Sequence, residues 1–282
     1  MDPGEHASIA RWAASLPSEG IGDDVAWVGV SGNLAVSVDT MVEEVHFRRA
    51  WTSARTIGHR AVMAALSDLA AARARPLGLL AAVSVPAFDR WADGLMAGVG
   101  DAAREVGTVV LGGDTTASPG PAVISITVLG SATDAGPLLR SGAQVGDGVY
   151  VSGPLGASAW ATEMLLLGED VAWPAPRARL DLVDALGPAT AGIDISDGLL
   201  ADAAHVARAS GVDLVLDRDA VAVPGVPERC TLSGGEDWEL LAASPVPIEG
   251  MTRIGEVKAG DGVVRFVDGS PLPDALGWDH GC

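Results

Sequence analysis

The stretch "AGIDISDGLLADAAHVARASGVDLVLD", residues 191–217, carries an apolar run into a turn, then a helical period near 197–210, then a strand at 212–217. That alternation is the signature of an α/β chain. The turn holds two aspartates, Asp194 and Asp197, three residues apart. Carboxylates so placed repel each other and are tolerated where something positive sits between them. Asp197 alone reads as a helix cap, the commonest role for aspartate there. A cap does not explain Asp194. A helix N-terminus also favours anions and phosphates.

Outward from this stretch the pattern continues. Residues 5–16 read as a short helix, and "VAWVGV" (25–30) and "NLAVSVD" (33–39) as two strands joined by a hairpin turn. Residues 53–74 read as a long helix capped by Thr52 or Ser53, 77–86 as a buried strand and 88–107 as a second amphipathic helix. Strands follow at 108–114 and 122–132 around a Gly-rich turn. A connector over 133–148, rich in glycine and turn residues, places a domain boundary near residue 138. Beyond it, helices are expected near 156–167 and 175–186. The chain closes with strand patterns at 233–244, 252–257 and 262–269. The expectation is a two-domain α/β (α+β) protein, with domains 1–138 and 139–282.

Composition narrows the function. With 282 residues the chain suits one large domain or two ordinary ones. A formal charge of −19 argues against a nucleic-acid partner. No apolar stretch is long enough to span a bilayer, and "MDPGEHASIARW" lacks the pattern of a signal peptide. The two cysteines, Cys230 and Cys282, suggest no disulfide framework, so a cytoplasmic protein is expected. The single lysine, Lys258 in "IGEVKAG", does not fit a P-loop.

Five acidic motifs share one local shape, in which an apolar element delivers an aspartate to a Gly-rich or capped turn. They are "GIGDDVA" (Asp23, Asp24), "AVSVDTMVEEVHF" (Asp39), "AALSDLAA" (Asp68), "VLGGDTT" (Asp114) and "GIDISDGLL" (Asp194, Asp197). Asp68 interrupts an otherwise apolar helical run, where an unpaired carboxylate costs several kcal/mol. Pairing with Arg60 or Arg75, or a turn toward solvent, would relieve that cost; so would a hard cation bound by oxygen ligands. Mg²⁺ favours carboxylates, waters and substrate phosphates. Histidine is scarce and no HExxH occurs, which disfavours zinc. The two glycines before Asp114 let backbone N–H groups approach a phosphate. Together the acids point to a multi-Mg²⁺ site for a polyphosphate.

The ordered set "GIGDDVA", "VDTMVEEVHF", "LSDLAA", "GGDTT", "LLRSGAQVGD", "GIDISDGLLADAAHVARASGV", "SGGEDWELL", "IGEV" and "GWDH" resembles the thiamine-monophosphate kinase family. The motifs run from residue 20 to residue 280 in the family's order. The resemblance implies a fold like aminoimidazole-ribonucleotide synthetase, with an N-terminal α/β domain whose sheet pairs with its twin in a homodimer, and a C-terminal α/β domain. It implies ATP-dependent phosphorylation of thiamine monophosphate to thiamine diphosphate. By motif, Asp24, Ser37, Asp39, Asp68, Asp114, Asp194 and Asp197 would ligate Mg²⁺. Gly113, Asp114, Arg140 and Ser196 would contact ATP. His46, Glu236 and Trp278 would face the thiamine phosphate. The acceptor phosphate is already ionised near neutral pH, so no general base is assigned.

The chain departs from the family pattern at several places. Ala65 stands for an asparagine before "LSD", Arg73 for a small residue, Ala157 for an aspartate, and the ending reads "DHGC". Val38 stands for a threonine before Asp39, which is expected to remove a hydroxyl ligand. These departures also suit an ATP-binding paralogue of the same fold with a different substrate or no turnover. Hydrogenase-maturation dehydratases of the same superfamily end in a functional cysteine, as this chain ends in Cys282, yet "GWDHG" resembles the kinase ending.

Overall fold

The computed structural model describes residues 11–12, 14–17 and 29–278. Asp23 and Asp24, most of the helix expected at 5–16, the strand expected at 25–30 save its last two residues, and Cys282 lie outside the described residues. The chain divides into two compact units, one of residues up to Leu69 with Arg75–Ser131, the other of Ala70–Ala74 with residues from Ala132 onward.

The first unit holds a four-stranded sheet of β1 (Leu34–Val42), β2 (Ala74–Val85), β3 (Val110–Ala117) and β4 (Val123–Ala132), in the order β1-β4-β2-β3. β1 runs antiparallel to β4, and β2 parallel to β3. Among the described residues it is accompanied by the helices α1 (Ala54–Ala71) and α2 (Arg90–Glu105), besides helical residues 11–12 and 14–15. Ser53 caps α1, its hydroxyl accepting the Thr56 N–H at 3.1 Å. Asp89 caps α2 by accepting from Trp91 and Ala92. The two helices cross at a pair of glycines. A β-carbon on Gly58 would lie 2.0 Å from the Leu95 carbonyl oxygen, and one on Gly98 would lie 1.9 Å from that of Arg55. Only a bare backbone fits at either point.

One face of this sheet is core. Ile124, Ile126 and Val128 of β4 and Leu79, Ala81, Val83 and Val85 of β2 are buried there, and the Leu69 side chain of α1 packs against Gly130. The other face is open and apolar: Val36 and Val38 are 60% and 62% exposed, with Leu34 and Leu80 beside them on the same side.

The expected single helix over 53–74 is shorter in the structure. It ends at Ala71 because Arg73 takes a left-handed backbone (φ 58), after which the chain enters β2. The Arg73 guanidinium is buried and donates to the carbonyls of Gly136 (2.9 Å), Ala135 (3.0 Å), Leu186 (2.9 Å) and Gly187 (3.0 Å). Those bonds offset the conformational cost of an arginine where the family carries a small residue.

The second unit is built on a six-stranded sheet. Its strands are β5 (Gly148–Val151), β6 (Ala191–Ile195), β7 (Asp213–Leu216), β8 (Glu239–Ser244), β9 (Thr252–Lys258) and β10 (Val264–Phe266), in the order β10-β7-β9-β5-β8-β6. All its pairings are antiparallel except β10 with β7. Four helices belong to it: α3 (Ala157–Leu166), α4 (Leu199–Ser210), and the short α5 (Arg218–Val221) and α6 (Glu228–Ser233). One apolar cluster joins α4 to the sheet through Leu199, Leu200, Ala203 and Val206. A second gathers Tyr150, Leu182, Val183, Leu186, Leu240 and Ile248. The helix expected near 175–186 is only a 3₁₀ turn at Leu180–Leu182. Pro174 and Pro176 bias the residues before them away from the α region, while Leu182, Val183 and Leu186 still bury their side chains. The strand expected over 233–244 begins only at Glu239, because Glu236 and Trp238 take left-handed backbones (φ 64 and 49) that break an extended run.

Candidate active site

In the first unit, alternation along β1 sets the site. Ser37, Asp39 and Met41 share one face, opposite Val128, Ile126 and Ile124 of the buried side of β4. Val38 points the other way. Its hydroxyl-bearing counterpart would therefore lie on the open face, the face that also carries Asp114. Ser37 Oγ donates to Asp68 Oδ2 of α1 at 2.5 Å. Burial pushes the Asp39 carboxyl above its ordinary value, against the Thr40 N–H that it accepts at 2.7 Å and the charge of His46.

His46 closes the turn after β1. Its Nδ1 accepts the Val42 N–H at 3.1 Å, which leaves the proton on Nε2 in the neutral ring. The turn is braced from outside, since Glu43 accepts from Arg49 at 2.6 Å and from the Ala122 N–H at 2.8 Å, and the Arg49 guanidinium lies 3.8 Å from the Trp91 ring centre. Ala65, in place of an asparagine, is simply a buried methyl group of α1.

Asp114 stands apart from these groups. It pairs in register with Ala82, which faces the open side, and Gly112 beside it packs on Leu80. Asp114 thus occupies the opposite face of the sheet from Asp39. β3 and β1 are also at opposite ends of the strand order, roughly 14 Å apart at three strand spacings. Gly113 sits on the Ala81 backbone, where a β-carbon would come within 1.9 Å of the carbonyl oxygen.

In the second unit the residues converge on one loop. β6 ends at Ile195, with Asp194 buried. Ser196, Asp197 and Gly198 follow, and α4 begins at Leu199. Their N–H groups all donate to Asp202 Oδ2, at 3.0, 3.1 and 3.1 Å. Burial pushes the Asp202 carboxyl up to about 6 despite these bonds, with the charge of Asp197 adding to the effect. On the outer side the carbonyls of Ile195, Ser196 and Asp197 accept the N–H groups of Trp238, Glu236 and Trp278, each at 2.8 Å. Glu236 and Trp238 both hold left-handed backbones (φ 64 and 49), and strain of this kind clusters at functional sites.

Behind Glu236, Asp237 accepts the Gly156 N–H at 2.8 Å at the start of α3. Burial pushes its carboxyl up to about 7; the Gly156 bond opposes this, and the charges of Glu239 and Glu236 reinforce it. Glu239 takes the Arg179 guanidinium at 2.7 Å and a short bond from Ser152 Oγ. Arg140 lies on an exposed loop tied to the end of α4, where its carbonyl accepts from Ser210 Oγ at 3.2 Å.

The structure therefore gathers Ser37, Asp39, Asp68 and His46 in one unit, and Asp194, Ser196, Asp197, Glu236 and Trp278 in the other. Asp202, Asp237 and the Arg179–Glu239 pair were not singled out in the sequence. Asp202 had a signal: like Asp68, it is an acid between apolar helical neighbours. Among the described residues, no three His, Cys, Asp or Glu side chains stand close enough to hold an ion among themselves. Mg²⁺ seldom uses an all-protein cage and takes one or two carboxylates plus phosphate oxygens. The Ser37, Asp39 and Asp68 group, all oxygen, fits that habit.

A family profile described as "AIR synthase related protein, N-terminal domain" matches residues 22–132. The thiamine-monophosphate kinase of Mycobacterium tuberculosis is 36% identical over 92% of this chain and 84% of its own length. The chain belongs to the thiamine-monophosphate kinase family. Among solved structures, the thiamine-monophosphate kinase of Stenotrophomonas maltophilia superposes with a TM-score of 0.82 at 30% identity, covering 94% of this chain and 95% of its own. The structure titled "AaThiL complexed with AMPPCP and TMP" gives a TM-score of 0.80 at 31% identity over 99% and 97% of the two chains. A thiamine-monophosphate kinase fold thus extends over both units, including the loop from Asp194 to Gly198. No described helix is long and apolar enough to cross a membrane.

Proposed function

We propose that this chain transfers the terminal phosphoryl group of ATP to thiamine monophosphate, giving thiamine diphosphate, as a cytoplasmic homodimer. The observation that carries the reading is the 195–198 loop. It bears Asp194, Ser196 and Asp197 on or beside it, and Glu236 and Trp278 hang from its carbonyls. Residues of the donor and acceptor sides are thus fixed to one piece of backbone, as an in-line transfer requires.

Mg²⁺ would be held by Asp24, Ser37, Asp39, Asp68, Asp114, Asp194 and Asp197, and when bound it neutralises and orients the phosphates. Gly113, its bare backbone packed on that of Ala81, would contact ATP through its main chain, and Arg140 meets the phosphate charge of ATP. His46, its Nδ1 engaged with Val42, offers an Nε2–H donor to the acceptor phosphate. Glu236 and Trp278 contact the thiamine moiety. No general base is needed, because the attacking oxygen carries no proton near neutral pH.

The dimer rests on the open face of the first sheet. Leu34, Val36, Val38 and Leu80 form an apolar surface suited to a second copy. Asp114 stands on that same face, away from Asp39.

The deciding experiment supplies the purified protein with Mg²⁺, ATP and either thiamine monophosphate or thiamine, and reads products by chromatography. Diphosphate from the monophosphate alone is expected. ATP binding with no diphosphate would overturn the reading.

A further inference from the structure

We infer that Asp202 is a positioning residue that sets the 196–198 loop and, through it, the contacts to both substrates; the inference rests on the residue roles proposed above. One buried carboxylate oxygen collects three consecutive N–H groups, from Ser196, Asp197 and Gly198. A helix cap would serve the first N–H groups of α4 itself, at 199–201. Asp202 instead serves Gly198 at the helix boundary and the two residues before it, so its partner is the loop rather than the helix.

Fixing those N–H groups inward turns the carbonyls of the same peptides outward. Those of Ser196 and Asp197 accept from Glu236 and Trp278, each at 2.8 Å. Gly198 completes the arrangement. Its φ of 131 is a backbone that side chains rarely adopt, and a β-carbon there would meet the Ser233 backbone at 2.8 Å. A change at Asp202 therefore reaches Ser196 and Asp197 directly, and Glu236 and Trp278 at one remove, although Asp202 touches neither substrate.

The test compares Asp202→Ala and Asp202→Asn with a matched control, Asp213→Ala. Asp213 is an equally buried carboxylate that collects the N–H groups of Asp261 and Val263 and the Arg265 guanidinium, none of them in the loop. Thermal unfolding and full kinetics are measured below the unfolding range of every variant. Asp202→Ala is expected to raise KM for ATP and for thiamine monophosphate together, each roughly tenfold, and to lower kcat roughly a hundredfold. Asp202→Asn keeps one acceptor oxygen and should fall between Ala and wild type. Asp213→Ala should lose stability and keep both KM values. If Asp202→Ala does not fold, Asp202→Ser, whose shorter side chain cannot collect all three N–H groups, decides alone: both KM values raised supports the inference, and wild-type constants overturn it. A loss of stability at Asp202 with unchanged KM values overturns it as well. Asp197→Asn and Glu236→Gln run alongside; wild-type constants in those two would overturn the residue roles instead.

Discussion

Ser37 Oγ and Asp68 Oδ2 are joined across β1 and α1 at 2.5 Å, so a strand hydroxyl fixes the carboxylate that interrupts the helix's apolar run. The hydroxyl leaves the second carboxylate oxygen of Asp68 to other partners. Asp68→Asn is expected to reduce kcat at least a hundredfold, since it removes an anionic ligand proposed for Mg²⁺. Ser37→Ala should cost about 1 kcal/mol of stability and raise the Mg²⁺ concentration needed for half-maximal rate. A Mg²⁺ titration of the steady-state rate measures both, and a wild-type curve for Asp68→Asn would remove it from the site.

Val38 lies on the opposite face of β1 from Ser37 and Asp39. Restoring the family's residue with Val38→Thr should leave kcat and the Mg²⁺ requirement within about twofold of wild type. A gain of tenfold or more would mean that residue 38 reaches the metal side after all.

The placement of Asp114 makes a mixing experiment informative. Asp39→Asn and Asp114→Asn should each be inactive alone. Unfolded, mixed in equal amounts and refolded, they should recover no activity, because sheets packed on their open faces leave the partner's Asp114 on the far side of β1 from Asp39. Return of about a quarter of wild-type activity would show instead that each site draws Asp39 from one chain and Asp114 from the other.

Asp237 sets a pH dependence. Its folded carboxyl titrates at about 7 against an ordinary value of 3.8. Between those values the folded chain holds a proton that the unfolded chain has released. Its contribution is thus most favourable below about 4, declines as pH rises, and is lost above about 7. Asp237→Asn cannot ionise. Its Tm relative to wild type, measured without added metal, should rise by several degrees between pH 5 and pH 8. A constant difference across that range would refute the assignment.

Gly58 and Gly98 carry the crossing of α1 and α2. Either one changed to alanine drives a methyl group into a backbone carbonyl of the partner helix. A loss of about 1–3 kcal/mol, or roughly 3–10 °C in Tm, is expected. An unchanged Tm would show that the helices part at no cost.

Much of this was legible in the residues. The α/β alternation, both long helices of the first unit and the helix after "SDG" follow from apolar period and caps, as does the strand that presents Asp39. The failures have physical causes. Arg73 ends α1 because a left-handed backbone is repaid by carbonyls 60 and more residues away, which no local pattern reveals. The prolines at 174 and 176 dissolve a helix whose apolar spacing was otherwise sound. The face occupied by Asp114 depends on strand order and register, which single strands do not encode. Asp202 could have been found by the reasoning applied to Asp68, but its three partners lie in a loop whose path the sequence does not specify.

The carbonyl ring around Arg73 has one further consequence. The ion pairs of this protein, such as Arg49 with Glu43 and Arg265 with Asp213, weaken in acid as their carboxylates take up protons. Amide oxygens do not titrate, and a guanidinium remains charged throughout the acid range. The bonds that Arg73 makes to residues 135–136 and 186–187 are therefore indifferent to acid. On acidification this junction should be among the last places in the second unit where the backbone amides begin to exchange with solvent.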